Sequence, residues 1–173
     1  TRVPVAVAAP DGVTLSRAAT SRFHTCAEGT DGTDTQLYCW GENGPGRLGN
    51  GMASSAGSSD IPVPVQSGES ILVSVTTGMH STCAEDSNGG IYCWGSNTSG
   101  QLGIVGGVSS LVPAAVHAPA GVKLSDVSAG SEFACAVAPN GVYCWGRNSN
   151  GQLGDGTTTN RLTPVVVAGT RGK

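Results

Sequence analysis

Six cysteines, three histidines and a few acidic loop residues are the side chains of this chain that could do chemistry. The cysteines come as Cys26/Cys39, Cys83/Cys93 and Cys135/Cys144, each pair separated by on the order of ten residues. Zinc-ligand cysteines are normally separated by about two to four residues, so this spacing argues against a tetrahedral metal site. A thiol pair of wider spacing serves instead as a crosslink between neighbouring strands. His24, His80 and His117 are the acid–base candidates, but they fall at three different distances from their neighbouring cysteines, with no recurring carboxylate beside them. A catalytic histidine needs a held partner and a nucleophile, and neither is readable here. Asp31 and Asp34 in the loop 29–35 could approach a calcium ion. The loop lacks the oxygen count and distal Glu of a known calcium loop, and a solvated hairpin tip accounts for it. Asn97-Thr98-Ser99 forms a glycosylation sequon that coincides with a turn asparagine. No cofactor, metal or catalytic group is expected, and the chain reads as non-enzymatic.

The elements that carry these residues repeat. Tyr-Cys-Trp-Gly occurs at Tyr38–Gly41, Tyr92–Gly95 and Tyr143–Gly146, each copy followed by an asparagine (Asn43, Asn97, Asn148) and then Gly-Arg-Leu-Gly or Gly-Gln-Leu-Gly. A period of about fifty residues signals one supersecondary unit copied in tandem. Each unit offers four short strands: residues 13–19, 23–28, 36–41 and 62–65; then 71–78, 81–86, 91–95 and 113–116; then 122–128, 132–138, 141–146 and 164–167. No segment shows sustained helical periodicity. Four-stranded antiparallel units repeated radially describe β-propeller blades.

The expected architecture is therefore all-β, with three tandem blades at 13–65, 66–116 and 117–167, a leading strand in 1–12 and a tail at 168–173. Three blades are too few to close a ring of the usual 4 to 8. The Pro-x-x-Val pattern at 4–7 repeats the last strand of each blade, so that segment is expected to pair outside its own blade. The ring is then partial or shared between chains, completed by further copies or by the rest of a longer protein.

Hairpin register places the cysteines. With Pro139-Asn140 as a two-residue turn, Ala138 faces Gly141, Val137 faces Val142 and Cys135 faces Cys144 in a non-hydrogen-bonded site. Such sites hold Cα atoms about 4.5 Å apart, within disulfide span. The second unit, with the loop 87–89, leads to the same pairing. One disulfide per blade is expected, each contributing on the order of 2–3 kcal/mol, which points to an extracellular or cell-surface location. Alternation then puts Trp40, Trp94 and Trp145 on the opposite face, packed in the repeat core, with Leu48, Leu102 and Leu153 plugging the blade edges.

Composition agrees with a crosslinked strand stack. Of 173 residues, 12% are charged, 5% are aromatic and 27 are Gly, with a net charge of −3. Large apolar clusters and ion-pair networks are thus scarce. No basic stripe exists to track a phosphate backbone, which excludes nucleic acid as an expected partner. The apolar runs are strand-length, too short to span a membrane. A protein partner is expected instead, and loops on a rigid scaffold would recognise it. Glu42, Arg47, Arg147 and Asp155 add charge to the loops after the Trp strands, beside Asp31 and Asp34 on the first hairpin.

At these motifs the chain resembles the regulator of chromosome condensation repeats: aromatic-x-Trp-Gly, an Asn, Gly-Gln-Leu-Gly, then Pro-x-x-Val. Residues 143–156 match almost throughout; the second copy departs at 104–107, and the first has Gly44-Pro45-Gly46-Arg47 and a longer loop. The resemblance spans about residues 13 to 167 and implies a seven-bladed fold. The family's nucleotide-exchange activity does not carry over, because the residues for it have no match here. Cysteine-bearing repeats of this kind resemble a secreted bacterial branch that includes a protein inhibitor of β-lactamase. The resemblance implies a module for protein interaction or surface assembly, or alternatively a secreted enzyme inhibitor.

Overall fold

The computed structural model describes residues 3–52 and 57–169. Blade 1 holds β1 (Thr14–Thr20), β2 (His24–Thr30), β3 (Thr35–Gly41) and β4 (Ser59–Pro64). Blade 2 holds β5 (Leu72–Thr77), β6 (Ser81–Asp86), β7 (Ile91–Gly95) and β8 (Ser110–Ala115). Blade 3 holds β9 (Ser125–Ala129), β10 (Phe133–Ala138), β11 (Gly141–Gly146) and β12 (Arg161–Val166). Each blade is a four-stranded antiparallel meander in chain order. The strands β1, β5 and β9 meet one another in series and form the inner edge of the stack.

Turn chemistry sets the registers. The two-residue turn 139–140 pairs Ala138 with Gly141, Val137 with Val142 and Cys135 with Cys144. In blade 2, Asp86 accepts hydrogen bonds at Oδ1 from the backbone N–H groups of Asn88 and Gly90, which closes the three-residue loop. Cys83 therefore faces Cys93, and Cys26 faces Cys39 in blade 1. The three disulfides form in those pairings, with Cα atoms 4.0, 4.1 and 4.0 Å apart.

Because side chains alternate across a strand, each blade has a cystine face and a Trp face. The core consists of two clusters, each where the cystine face of one blade meets the Trp face of the next. Cys26, Leu37, Cys39, Leu48 and Val65 of blade 1 pack on Leu72, Ala84 and Trp94 of blade 2. Cys83, Ile91, Cys93 and Leu102 of blade 2 pack on Leu124, Ala134, Ala136 and Trp145 of blade 3. Full burial of each large apolar side chain in such a junction is worth about 1.5–3 kcal/mol.

The leading segment, expected to pair outside its own blade, finds no strand partner among the described residues. Residues 3–10 form no strand, and Val3, Val5 and Val7 are exposed. In each blade the Pro-x-x-Val strand bonds to the Tyr-Cys-Trp strand beside it, as Cys39 with Val63, Cys93 with Ala114 and Cys144 with Val165. All three Tyr-Cys-Trp strands are thus already paired, and residues 4–7 have none left to join. The tail at 168–173 lies outside the described residues beyond Gly169.

Candidate protein-binding surfaces

The blade junction is built from one backbone carbonyl. The Trp94 Nε1–H donates to the carbonyl of Arg47 at 3.0 Å, and the Thr82 hydroxyl donates to the same oxygen at 2.8 Å. One junction further on, Trp145 Nε1–H donates to the carbonyl of Gln101 at 3.0 Å. Arg47 and Gln101 hold the same place in the Gly-x-Leu-Gly loop of the preceding blade. Each loop is shaped by its asparagine: Leu48, Leu102 and Leu153 donate their N–H groups to the Oδ1 atoms of Asn43, Asn97 and Asn148. The second Gly of the loop lies on the indole. A Cβ on Gly49 would sit 2.6 Å from Trp94 Nε1, and one on Gly103 would sit 2.8 Å from Trp145 Nε1.

Both ends of the stack carry this machinery without its counterpart. Trp94 and Trp145 are fully buried, whereas Trp40 is only half-buried and lines an open cavity of about 660 Å³ with Thr25, Ala27 and Arg17. Among the described residues, no carbonyl receives the Trp40 indole N–H. At the other end the loop 151–154 is shaped like its two predecessors, and Gly154 meets no indole. Of the three tryptophans expected in the repeat core, Trp94 and Trp145 are fully buried and Trp40 is half-buried. Leu48, Leu102 and Leu153 are fully buried.

A second surface lies where the turns 21–23 and 78–80 meet the loop after β3. The Phe23 ring stacks on His80, with centroids 5.5 Å apart and planes at 19°. The guanidinium carbons of Arg47 and Arg22 lie 5.0 and 5.3 Å from the Phe23 centroid. Beneath this cluster His24 is buried and tied at both nitrogens: to the Ser21 hydroxyl at 2.9 Å and to the Thr82 hydroxyl at 2.7 Å. Thr82 gives its own proton to the Arg47 carbonyl, so His24 Nε2 carries the hydrogen, and the Ser21 hydroxyl lies within hydrogen-bonding distance of both His24 Nδ1 and the His24 carbonyl. Burial first, then the charges of Arg47 and His80, push the His24 pKa down to about 3. A Ser–His contact invites a catalytic reading, but this imidazole is a very weak base, and a hydroxyl stands where an imidazolium would need a carboxylate.

The sequence-derived loop residues do not form one site. Arg47 is buried, which removes it from any exposed binding loop: the loop carbonyl must face the next blade, and this carries the side chain under Phe23. Its guanidinium donates to the Met79 carbonyl at 3.3 Å and lies 3.5 Å from the Glu42 carboxylate, while its buried Nε has no hydrogen-bond partner. Burial lowers its pKa and Glu42 raises it. Arg147 is exposed at the same end of the ring and pairs with Glu132 at 2.7 Å.

Asp155 is committed to its own loop. It accepts from Thr157 and Arg161 and from the Asn148 amide, and its pKa falls to about 2, chiefly through the Thr157 hydroxyl. Asp31 and Asp34 sit on the hairpin tip at the opposite end. There Asp31 Oδ1 accepts the N–H groups of Asp34 and Thr33 and the Thr33 hydroxyl; led by the Asp34 N–H, these hold its pKa near 2. The Asn97 side chain is buried, and its amide donates to the Val108 carbonyl, which serves the turn. The Phe23–His80 cluster escaped sequence reading because its members sit in the turns of two different blades. A phenylalanine in a strand-connecting turn was the one available signal.

Comparison with known proteins agrees with this geometry. The description "Regulator of chromosome condensation (RCC1) repeat" matches residues 34–84, 88–137 and 140–173, and a second description of the same repeat matches 73–101 and 124–152. The chain is 34% identical over 172 residues to the Ultraviolet-B receptor UVR8 of Arabidopsis thaliana, covering 98% of this chain and 38% of that protein. The structure of Prp20p from Saccharomyces cerevisiae, described together with its binding properties to Gsp1p and histones, superposes with a TM-score of 0.74. That match has 17% identity over 94% of this chain and 41% of the other. Yeast RCC1 (Prp20) bound to Kap60 gives a TM-score of 0.76 at 17% identity, covering 94% and 39%. At these identities the solved structures establish the propeller fold, and the chain spans about two fifths of the length of these relatives.

Proposed function

We propose, on the premise that this chain belongs to the regulator of chromosome condensation (RCC1) repeat family, that it is a non-enzymatic propeller module for protein–protein contact. It works outside the cytoplasm, in a ring or surface assembly that supplies further blades. The observation that carries this reading is the half-buried Trp40. Its two counterparts bury the same indole against a neighbouring blade's carbonyl, so blade 1 presents a socket made for such a loop. The disulfide in every blade supports an oxidising compartment. Catalysis is set aside because the best-placed histidine is held neutral between two hydroxyl groups. Solved relatives with Gsp1p, histones and Kap60 as partners support protein binding as the family's use of the fold.

A second reading, a secreted inhibitor of one enzyme, is favoured by the exposed Arg22 beside the Phe23–His80 stack at one ring end. Light scattering after size exclusion of the non-reduced chain tests the assembly reading. A discrete dimer or longer polymer supports completion by further copies. A strict monomer that is inert toward further blades of this repeat overturns the assembly reading and leaves the inhibitor.

A further inference from the structure

We infer that the Arg22–Phe23–His80 cluster is a docking site for a carboxylate-bearing segment of a protein partner. This deepens the protein-binding reading and rests on it. The cluster has the composition of an interface centre, an aromatic ring with arginine and methionine around it. Phe23, Met79 and His80 are half-buried at the ring end, and Arg22 is exposed.

Local charge determines the partner's chemistry. Two guanidinium groups lie close to the Phe23 ring, and one carboxylate, Glu42, lies near them. Glu42 stands 3.5 Å from Arg47 and is 51% exposed, whereas Arg47 is 3% exposed. A buried guanidinium facing a solvated carboxylate is incompletely compensated, and its Nε has no partner at all. Among the described residues, no carboxylate comes within 4 Å of Arg22. The cluster thus carries a net positive charge in a chain whose net charge is −3. A side-chain carboxylate seated beside Phe23 would take a bidentate pair from Arg22 and complement the charge of Arg47 beneath.

The receiving surface is already rigid. The hydrogen-bond chain from Ser21 through His24 and Thr82 to the Arg47 carbonyl ties the turn 21–23 to blade 2, so binding pays little ordering cost. A nucleic-acid backbone would need a run of cations, which this face lacks.

A random peptide library displayed on phage, panned on the non-reduced chain, tests the site, with the Arg22→Glu and Phe23→Ala variants as comparisons. Enriched peptides are expected to place Asp or Glu beside an apolar residue. Synthetic peptides of that sequence should bind about tenfold or more weakly to Arg22→Glu, the loss of a charged interface anchor. Arg22 is exposed, so Arg22→Glu keeps the fold, checked by unchanged burial of Trp94 and Trp145, even if Phe23→Ala loosens the turn. Enrichment without carboxylates, or binding that Arg22→Glu leaves unchanged, overturns this site and leaves the assembly reading to its own solution-mass test.

Discussion

Acid should destabilise this protein through His24 at a pH above that at which most of its carboxylates titrate. The imidazole is buried against Thr82 and Ser21, and its pKa falls from 6.5 to about 3 in the folded chain. Below pH 6.5 the unfolded chain takes up a proton at this residue and the folded chain does not. Stability is therefore complete above the unfolded value and is lost as pH falls toward the folded one, at about 1.4 kcal/mol per unit. Lowering pH from about 7.5 to about 4.5 should thus remove roughly 2.7 kcal/mol, a large part of a domain's net stability. His24→Gln removes the titration while keeping a polar side chain in the site. Near pH 7.5 that variant should be less stable than the parent by about 1–3 kcal/mol, from imperfect hydrogen bonding. The gap should shrink by roughly 2.7 kcal/mol near pH 4.5, where the parent has lost its advantage. Urea unfolding of both non-reduced proteins across that range measures it. Asp31 and Asp155, held near 2, titrate below the window. Glu28, raised by burial, is common to both proteins and cancels in the difference. A stability gap that stays constant with pH would refute the picture of a neutral, proton-refusing His24.

Two further outcomes follow from the junction geometry. Gly103 and Gly154 share a left-handed backbone, φ 68° and 62°, so alanine strains both alike. Only at Gly103 would the new Cβ also press on an indole, 2.8 Å from Trp145 Nε1, and Gly103→Ala should cost about 1–3 kcal/mol more than Gly154→Ala in urea melts. Acrylamide should quench Trp40 while sparing Trp94 and Trp145. Trp40→Phe should abolish the quenchable emission of the free chain, and any partner blade that fills the socket should protect it.

How far the fold was legible depends on whether the physics is local. The disulfides were, because a two-residue turn at 139–140 dictates which residues face each other, and alternation then assigns both faces of the hairpin. The difference in burial among the three tryptophans was not, although they sit in identical tetrapeptides. What covers an indole is a carbonyl from the preceding blade, so Trp94 and Trp40 differ through residues some fifty positions upstream. The same non-locality misplaced Arg47. As a charged residue in a Gly-rich loop it reads as solvent-facing, yet the loop backbone turns its carbonyl to the next blade and buries the side chain. Residues 4–7 carry the same Pro-x-x-Val pattern, and in each blade that pattern makes a strand beside a Tyr-Cys-Trp strand. The Phe23–His80 pair belongs to this class too, since neither residue is notable in its own repeat and the pair exists only because blades 1 and 2 are adjacent. A repeat writes its internal packing into every copy, whereas recognition arises where copies differ. His24 stands where blade 2 has Ser81 and blade 3 has Phe133, and Arg47 stands where blade 2 has Gln101. Both differences flank the Phe23 cluster at one end of one junction, and there a partner specific to this chain would be read.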